Sequence, residues 1–249
     1  MTLETAYLEI SAVVYLGFAF LFLFLHLKQR SKFLKYFAIA WRVEAFRLAF
    51  YLTRSSGIQF SNGWFALPDI LYLLVTWLLL SASASFVGHQ RLSRPCLGLY
   101  FGLSIPLILG NYFLLKPNMI LMAGQKGPPE IFYAIFSNLL VMFLPGGIAC
   151  LWAMIWFFDY WKRTQMPGVL MVVLFFFVRG LDSLSLPVQW YFSYFPAGSY
   201  LTRLLETLGL SVGIVVVSLN KQRAGTAIGR DNLSIKLANC CSQPSQEMR

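Results

Sequence analysis

The sequence has few charged side chains for its length, and this scarcity excludes most soluble folds. Only 12% of its 249 residues are Asp, Glu, Lys or Arg, whereas 58% are hydrophobic. A soluble domain carries about 25% charged residues, because its surface must stay wet. A lipid bilayer is the surrounding in which such a composition is favourable, and at this length a single domain is expected.

Histidines, cysteines and acidic residues are also scarce, so the usual signs of catalysis and metal binding are missing. The chain has 2 His, 4 Cys and 10 Asp or Glu. It contains no HExxH, P-loop or nucleophile-elbow motif. The histidines lack the further ligands that a haem site needs, and none of the cysteines lies in a CxxC motif. We therefore expect neither an enzyme nor a bound metal or other cofactor.

Long apolar segments are what the sequence does have. A spanning helix needs about 20 mostly apolar residues. Seven such helices are predicted, at about 5–27, 33–53, 65–87, 96–115, 131–157, 168–190 and 199–220. We predict an all-α polytopic membrane protein, with a bundle of seven transmembrane helices over residues 1–223. Residues 224–249 are polar and are predicted to form a disordered cytoplasmic tail.

The net charge of +10 is explained by the links between these helices. Cytoplasmic loops carry an excess of Lys and Arg. Each link that follows an odd-numbered helix is the more basic one, with residues such as Lys28, Arg91, Lys162 and Lys221. This alternation predicts that the N-terminus lies outside and the C-terminus in the cytoplasm. No Lys/Arg-rich run of the kind that binds nucleic acid is present, so nucleic acid is not an expected partner.

Charged residues in or beside the predicted spans are the main candidate functional residues. They are Arg42, Arg47, Arg179 and Arg203 together with Glu44, Asp69, Asp182 and Glu206. Charges within spans usually face the bundle interior in pairs. Three acid–arginine pairs are spaced by three residues, so that each pair shares a helix face. At a rise of about 1.5 Å per residue, most of these charges fall in the outer half of the membrane.

Two interpretations of these charges stay open. They form an interhelical salt-bridge network that fixes the bundle, or they line a polar pocket that opens to the outer side and receives a small ligand. Pro145, Gly146 and Gly147 in the fifth helix are likewise either a packing kink or a ligand-facing break. A small transporter or channel component is the alternative function, because it would use the same charges as a substrate or proton path.

Three stretches of the sequence resemble a known family of membrane regions. The first is segment 33–48, which contains Trp41 and Arg47. The second is Phe-Val-Arg-Gly-Leu-Asp at 177–182, followed by Pro187, and the third is Leu-Leu-Glu at 204–206. Together they resemble the N-terminal seven-helix membrane input region of bacterial sensor histidine kinases and diguanylate cyclases, over about residues 5–223.

The resemblance implies a sensor in the bacterial inner membrane, in which the bundle binds a small ligand or reads the state of the membrane. The seventh helix would pass the signal inward. The family continues into a kinase, PAS or cyclase domain, whereas this chain ends in a polar tail. We expect either a stand-alone receptor that works through a partner or a truncated remnant.

The implied partners are the lipid bilayer and a separate cytoplasmic kinase or cyclase, and a homodimer is left open. The candidate residues for ligand binding or for a buried charge network are Trp41, Glu44, Arg47, Asp69, Arg179, Asp182, Arg203 and Glu206.

Overall fold

The secondary structure of the described part of the chain is entirely helical. In a computed structural model, the described residues are 3–55, 66–88, 102–111, 129–191 and 204–223. Their helices are α1 (Leu3–Gln29), α2 (Lys32–Ser55), α3 (Leu67–Val87), α4 (Gly102–Asn111), α5 (Pro129–Thr164), α6 (Val169–Tyr191) and α7 (Leu204–Arg223). The all-α prediction is confirmed for these residues. The tail at 224–249 lies outside them.

Five of the described helices are long and apolar enough to cross a membrane, so the chain is built as a multi-pass membrane protein. The five segments are Leu8–Gln29, Leu67–Val87, Leu139–Thr164, Val169–Gln189 and Leu204–Arg223. Large exposed apolar side chains recur on α6 at helical spacing, at Leu170, Leu174, Phe177 and Leu181. An exposed stripe of this kind is what a helix presents to lipid. α2 is about as long as these five segments but carries more charged residues. The described part of α4 is apolar but shorter than the other helices.

The helices of the bundle pack on one another in pairs. α1 packs on α2, α2 on α3, α3 on α5, and α5 on α6. α4 lies against α3 and α5, where Ile108 joins a cluster with Leu73 and Met142. α7 packs against α6 through Gly209, whose position leaves no room for a side chain beside the ring of Phe175.

The ends of α1, α3, α5 and α7 and the starts of α2 and α6 meet at one end of the bundle, which we call the basic end. Gln29 Nε2 donates to Gln222 Oε1 at 3.1 Å, and the rings of Phe33 and Phe86 lie 5.0 Å apart. The basic residues at this end are Lys28, Arg30, Lys32, Lys35, Lys162, Arg163, Lys221 and Arg223. This is the arrangement that the alternation of basic links predicts.

Two tight turns close the basic end. Between α1 and α2, His26 Nδ1 lies 2.8 Å from the carbonyl oxygen of Ser31. Between α5 and α6, Gly168 has a φ of 88°, which glycine adopts without the clash that a Cβ would cause. Asn220 Nδ2 of α7 donates to the carbonyl oxygen of Pro167 in this turn at 3.1 Å, so the turn also fixes the end of α7.

The run of Pro145, Gly146 and Gly147 lies within a continuous α5. A Cβ added at Gly147 would lie 2.9 Å from the carbonyl oxygen of Gly180 and 2.6 Å from Leu184 Cγ. Small residues in membrane helices let two backbones approach in this way. The structure therefore favours close packing of α5 on α6, rather than a break in α5, as the reason for this run.

We expect Gly147→Ala to destabilise the protein by about 1–3 kcal/mol, the usual cost of overpacking. The carbonyl group of Gly180 belongs to the backbone and cannot turn away from the added methyl group. Gly17→Ala is the matched control, because a Cβ at Gly17 would meet nothing within 4 Å. Thermal unfolding in detergent, followed by circular dichroism, should show a lower midpoint for Gly147→Ala alone. Equal midpoints for the two variants would contradict the close crossing.

Candidate functional site

A buried ion pair lies on the inner face of α2. Arg47 donates to Glu44 through Nη2–Oε1 at 2.6 Å and Nε–Oε2 at 2.9 Å. The side chains of Arg47 and Glu44 are only 12% and 4% exposed. The guanidinium also lies over the rings of Tyr51 and Tyr72, at 5.5 and 5.3 Å from their centroids. The charge of Arg47 is thus satisfied inside the bundle, by a carboxylate and by aromatic faces.

Arg179 of α6 lies near residues of four other helices. Tyr15 of α1, Glu44 of α2 and Tyr72 of α3 surround its guanidinium, and Glu44 is the acid among them. The thiol of Cys150 on α5 lies near it as well. Arg179 is therefore placed where α6 meets α1, α2, α3 and α5.

α7 enters the same region through Glu206 and Thr207. The hydroxyl of Tyr15 lies 2.9 Å from Thr207 Oγ1, in a buried hydrogen bond between α1 and α7. Glu206 is 3% exposed and lies near Cys150 of α5. We call this group of eight residues the polar centre: Tyr15, Glu44, Arg47, Tyr72, Cys150, Arg179, Glu206 and Thr207.

The polar centre is far from the basic end of the bundle. At a rise of about 1.5 Å per residue, its Cα atoms lie about 15–26 Å along the helices from that end. The intervening core contains six buried phenylalanines that we call the aromatic layer: Phe22, Phe33, Phe37, Phe86, Phe157 and Phe176. Their successive ring centroids are 5.0 to 6.5 Å apart. The aromatic layer therefore separates the polar centre from the basic end within the described core.

Polar atoms without a hydrogen-bond partner lie beside the polar centre. Among the described residues they include Trp41 Nε1, Ser11 Oγ and Ser211 Oγ, all on side chains that are 0% exposed. The rings of Trp41 and Tyr15 are 5.3 Å apart, and Ser211 is one helical turn from Thr207. A buried polar atom without a partner costs about 1–3 kcal/mol, so each would gain from a bond to a bound molecule.

The structure brings four of the eight predicted site residues into the polar centre: Glu44, Arg47, Arg179 and Glu206. A fifth, Trp41, is fully buried beside it. The i,i+3 spacing of Glu44 and Arg47 does produce an ion pair within one helix. Whether any of these residues contacts a ligand stays a prediction.

The other predicted site residues are placed differently. Asp69 is buried in the first turn of α3, where the helix dipole favours a carboxylate. Asp182 is half-buried on α6, and its backbone carbonyl accepts a hydrogen bond from Ser185 Oγ at 2.8 Å. Arg203 lies outside the described residues. Arg42 is one of the charges in the predicted spans but not one of the eight site residues, and its side chain is exposed beside Phe20 of α1.

Sequence reasoning missed the uncharged members of the polar centre. Tyr15, Tyr72 and Cys150 are uncharged and lie in apolar segments, so the sequence does not mark them as members of a polar site. A weak signal was present on α7, where Thr207, Ser211 and Ser218 recur at intervals of four and seven residues. This spacing marks one face of a helix.

The hydrogen bond between Tyr15 and Thr207 can be measured by a double-mutant cycle. We expect Tyr15→Phe and Thr207→Val to be coupled by about 0.5–1.5 kcal/mol, the range found for polar contacts between membrane helices. Unfolding free energies in detergent of the wild type, both single variants and the double variant supply the cycle. Tyr36→Phe, on a half-buried tyrosine of α2 near the basic end, is the control and should show no coupling to Thr207→Val.

Comparison of the chain with protein-family models, curated proteins and solved structures finds no match. Among the described residues, no three His, Cys, Asp or Glu side chains are grouped as the ligands of a metal ion would be.

Proposed function

We propose that this chain is a membrane-embedded sensory protein that binds a small ligand, or reads the state of the membrane, through the polar centre. One observation carries the proposal: side chains from α1, α2, α3, α5, α6 and α7 converge there. A ligand that changes one of these contacts changes the balance among all of them. Binding would then favour one arrangement of the helices over another.

α7 is the element best placed to carry such a change inward. Its Thr207 contacts Tyr15 in the polar centre, and its Ser218 Oγ donates to Gln29 Oε1 at 2.8 Å near the basic end. Positive charge marks the cytoplasmic side of membrane proteins. The proposal therefore puts the basic end in the cytoplasm of a bacterial cell, where a kinase or cyclase would receive the signal, and the polar centre in the outer half of the inner membrane.

A small transporter is the alternative that uses the same buried charges. It would need a path for its substrate from the polar centre to the basic end. The aromatic layer lies across that path in the described core. This observation supports a site that is reached from one side only, as a receptor needs.

Thermal shift in detergent against pooled metabolites tests the proposal. A ligand at about 100 times its Kd should stabilise the folded state by about 2.7 kcal/mol. Trp41→Phe and Ser211→Ala should reduce this stabilisation, because each removes an unpartnered buried donor beside the polar centre. Val212→Ala, at an exposed position on α7, is the control and should leave it unchanged.

The same ligand then separates the two functions. Binding without uptake into proteoliposomes supports a sensor, whereas protein-dependent uptake would favour the transporter. Stabilisation that Trp41→Phe and Ser211→Ala both leave intact would place the site elsewhere and contradict the proposal.

A further inference from the structure

The outward face of α2 contains a charged residue in an apolar setting. Arg42 is exposed, and it stands between the exposed side chains of Ile39 and Phe46. Its guanidinium carbon lies 5.9 Å from the ring centroid of Phe20 on α1, a residue that is 62% exposed. Together with Phe24 of α1, which is also 62% exposed, these residues form a continuous surface that we call the α1–α2 outer face.

Arg42 lies deep along the helices rather than at their ends. Phe20, which its guanidinium contacts, is the thirteenth residue of the apolar segment Leu8–Gln29. At a rise of about 1.5 Å per residue, this ring lies about 18 Å from the outer end of the segment and about 13 Å from the basic end. Lys35 is on the same face of α2, about 10 Å nearer the basic end. Its flexible side chain can reach the headgroup region from there.

Arg42 differs in its partners from Arg47 on the same helix and from Arg179 on α6. Arg47 is paired with Glu44, and Arg179 is held within the polar centre. Among the described residues, no carboxylate forms an ion pair with Arg42. A cation that faces hydrocarbon at this depth is strongly unfavourable, and arginines in spans are normally paired.

We propose that the α1–α2 outer face binds a transmembrane helix of a partner protein that carries a carboxylate near its middle. Charge complementarity selects this occupant, because an Asp or Glu at the level of Phe20 would form the missing ion pair in a low-dielectric setting. The aromatic side chains on both sides of Arg42 supply the apolar contact area on which a helix packs.

A second copy of the chain fits this surface less well. Two copies related by a twofold axis would bring two Arg42 side chains together, and like charges repel. The exposed acids of the described residues include Glu9 and Asp159. Glu9 lies about 16 Å further out than Phe20, and Asp159 lies about 8 Å from the basic end of α5, so neither is level with Arg42.

The test uses the full chain in liposomes and a synthetic transmembrane helix of leucines with one central Asp. Energy transfer between labelled chain and labelled peptide measures binding. The Asp peptide should bind about tenfold more tightly than the all-leucine peptide, as one good polar contact between membrane helices allows. Arg42→Leu should abolish this preference and Arg42→Lys should keep part of it, whereas Leu174→Ala on the exposed face of α6 should leave it unchanged.

Three results would overturn the proposal. The first is equal binding of the Asp and all-leucine peptides to the wild type, and the second is a preference for the Asp peptide that survives in Arg42→Leu. The third is that a peptide with its Asp near one end binds as tightly as the peptide with a central Asp. Energy transfer between labelled copies of the chain that depends on Arg42 would instead assign the surface to a homodimer. The thermal midpoint of Arg42→Leu in detergent is compared with that of the wild type. Because the replaced side chain is exposed, we expect the two midpoints to agree, so that a loss of binding is not a loss of fold.

Discussion

Glu44→Leu should destabilise the protein by about 3–5 kcal/mol, the cost of leaving a buried charge without its partner. Arg47 is 12% exposed on its side chain and makes both of its short hydrogen bonds to Glu44. The aromatic faces of Tyr51 and Tyr72 remain, but a cation–π contact is weaker than a bidentate ion pair. Unfolding in detergent, followed by circular dichroism, measures the loss.

The double variant Glu44→Leu/Arg47→Met is the control for this effect. Replacing both charges by apolar side chains of similar volume is often neutral, because neither ion is then left unpaired. We expect the double variant to regain more than half of the stability that Glu44→Leu loses. A loss below about 1 kcal/mol in Glu44→Leu, the median for exposed ion pairs, would show that Arg47 reaches water or lipid headgroups instead.

Phe176→Ala should also cost about 3–5 kcal/mol, because it removes a large buried ring from the aromatic layer. Phe176 is 1% exposed, and its ring stacks on that of Phe157 with centroids 5.7 Å apart. Phe177 is the next residue on α6 and is 42% exposed, so Phe177→Ala removes the same atoms from the outer face.

The comparison of these two neighbours separates packing from hydrophobicity. Unfolding measurements in the same detergent should show a large loss for Phe176→Ala and a loss of less than about 1 kcal/mol for Phe177→Ala, as for exposed positions generally. Similar losses for both would mean that the aromatic layer is not the packed core of this end of the bundle.

Helix positions were predictable because the hydrophobic length of a segment depends on sequence alone. The sixth helix was predicted at 168–190 and is observed at Val169–Tyr191, and the first was predicted at 5–27 and is observed at Leu3–Gln29. α5 ends at Thr164, seven residues later than predicted. The predicted span stops before the polar residues Asp159 and Lys162, but polar residues can occupy the last turns of a helix. Apolar length marks the span, and the helix itself can continue beyond it.

The direction in which each charge points was less predictable. Arg42 and Arg47 are five residues apart on α2, so they lie about 140° apart around the helix and cannot share a face. Arg47 has Glu44 three residues before it, and this pair faces the interior. Which face is interior depends on how α1 and α3 pack on α2, and apolar residues occur on all sides of this helix.

The partners of Arg179 depend entirely on tertiary structure. Its spacing from Asp182 allows either a pair on α6 or contacts with other helices, and its guanidinium lies near Tyr15, Tyr72 and Glu44. No local pattern in the sequence indicates which helices meet there.

The membrane orientation of the bundle decides whether the polar centre faces outward, and fusions of two reporters measure it directly. One reporter is active only in the cytoplasm and the other only outside it, and each is fused after Glu130 and after Lys162, at the two ends of α5. We predict cytoplasmic activity at Lys162 and outside activity at Glu130. Outside activity at Lys162 would put the polar centre in the cytoplasmic half of the membrane and contradict the proposed sensor.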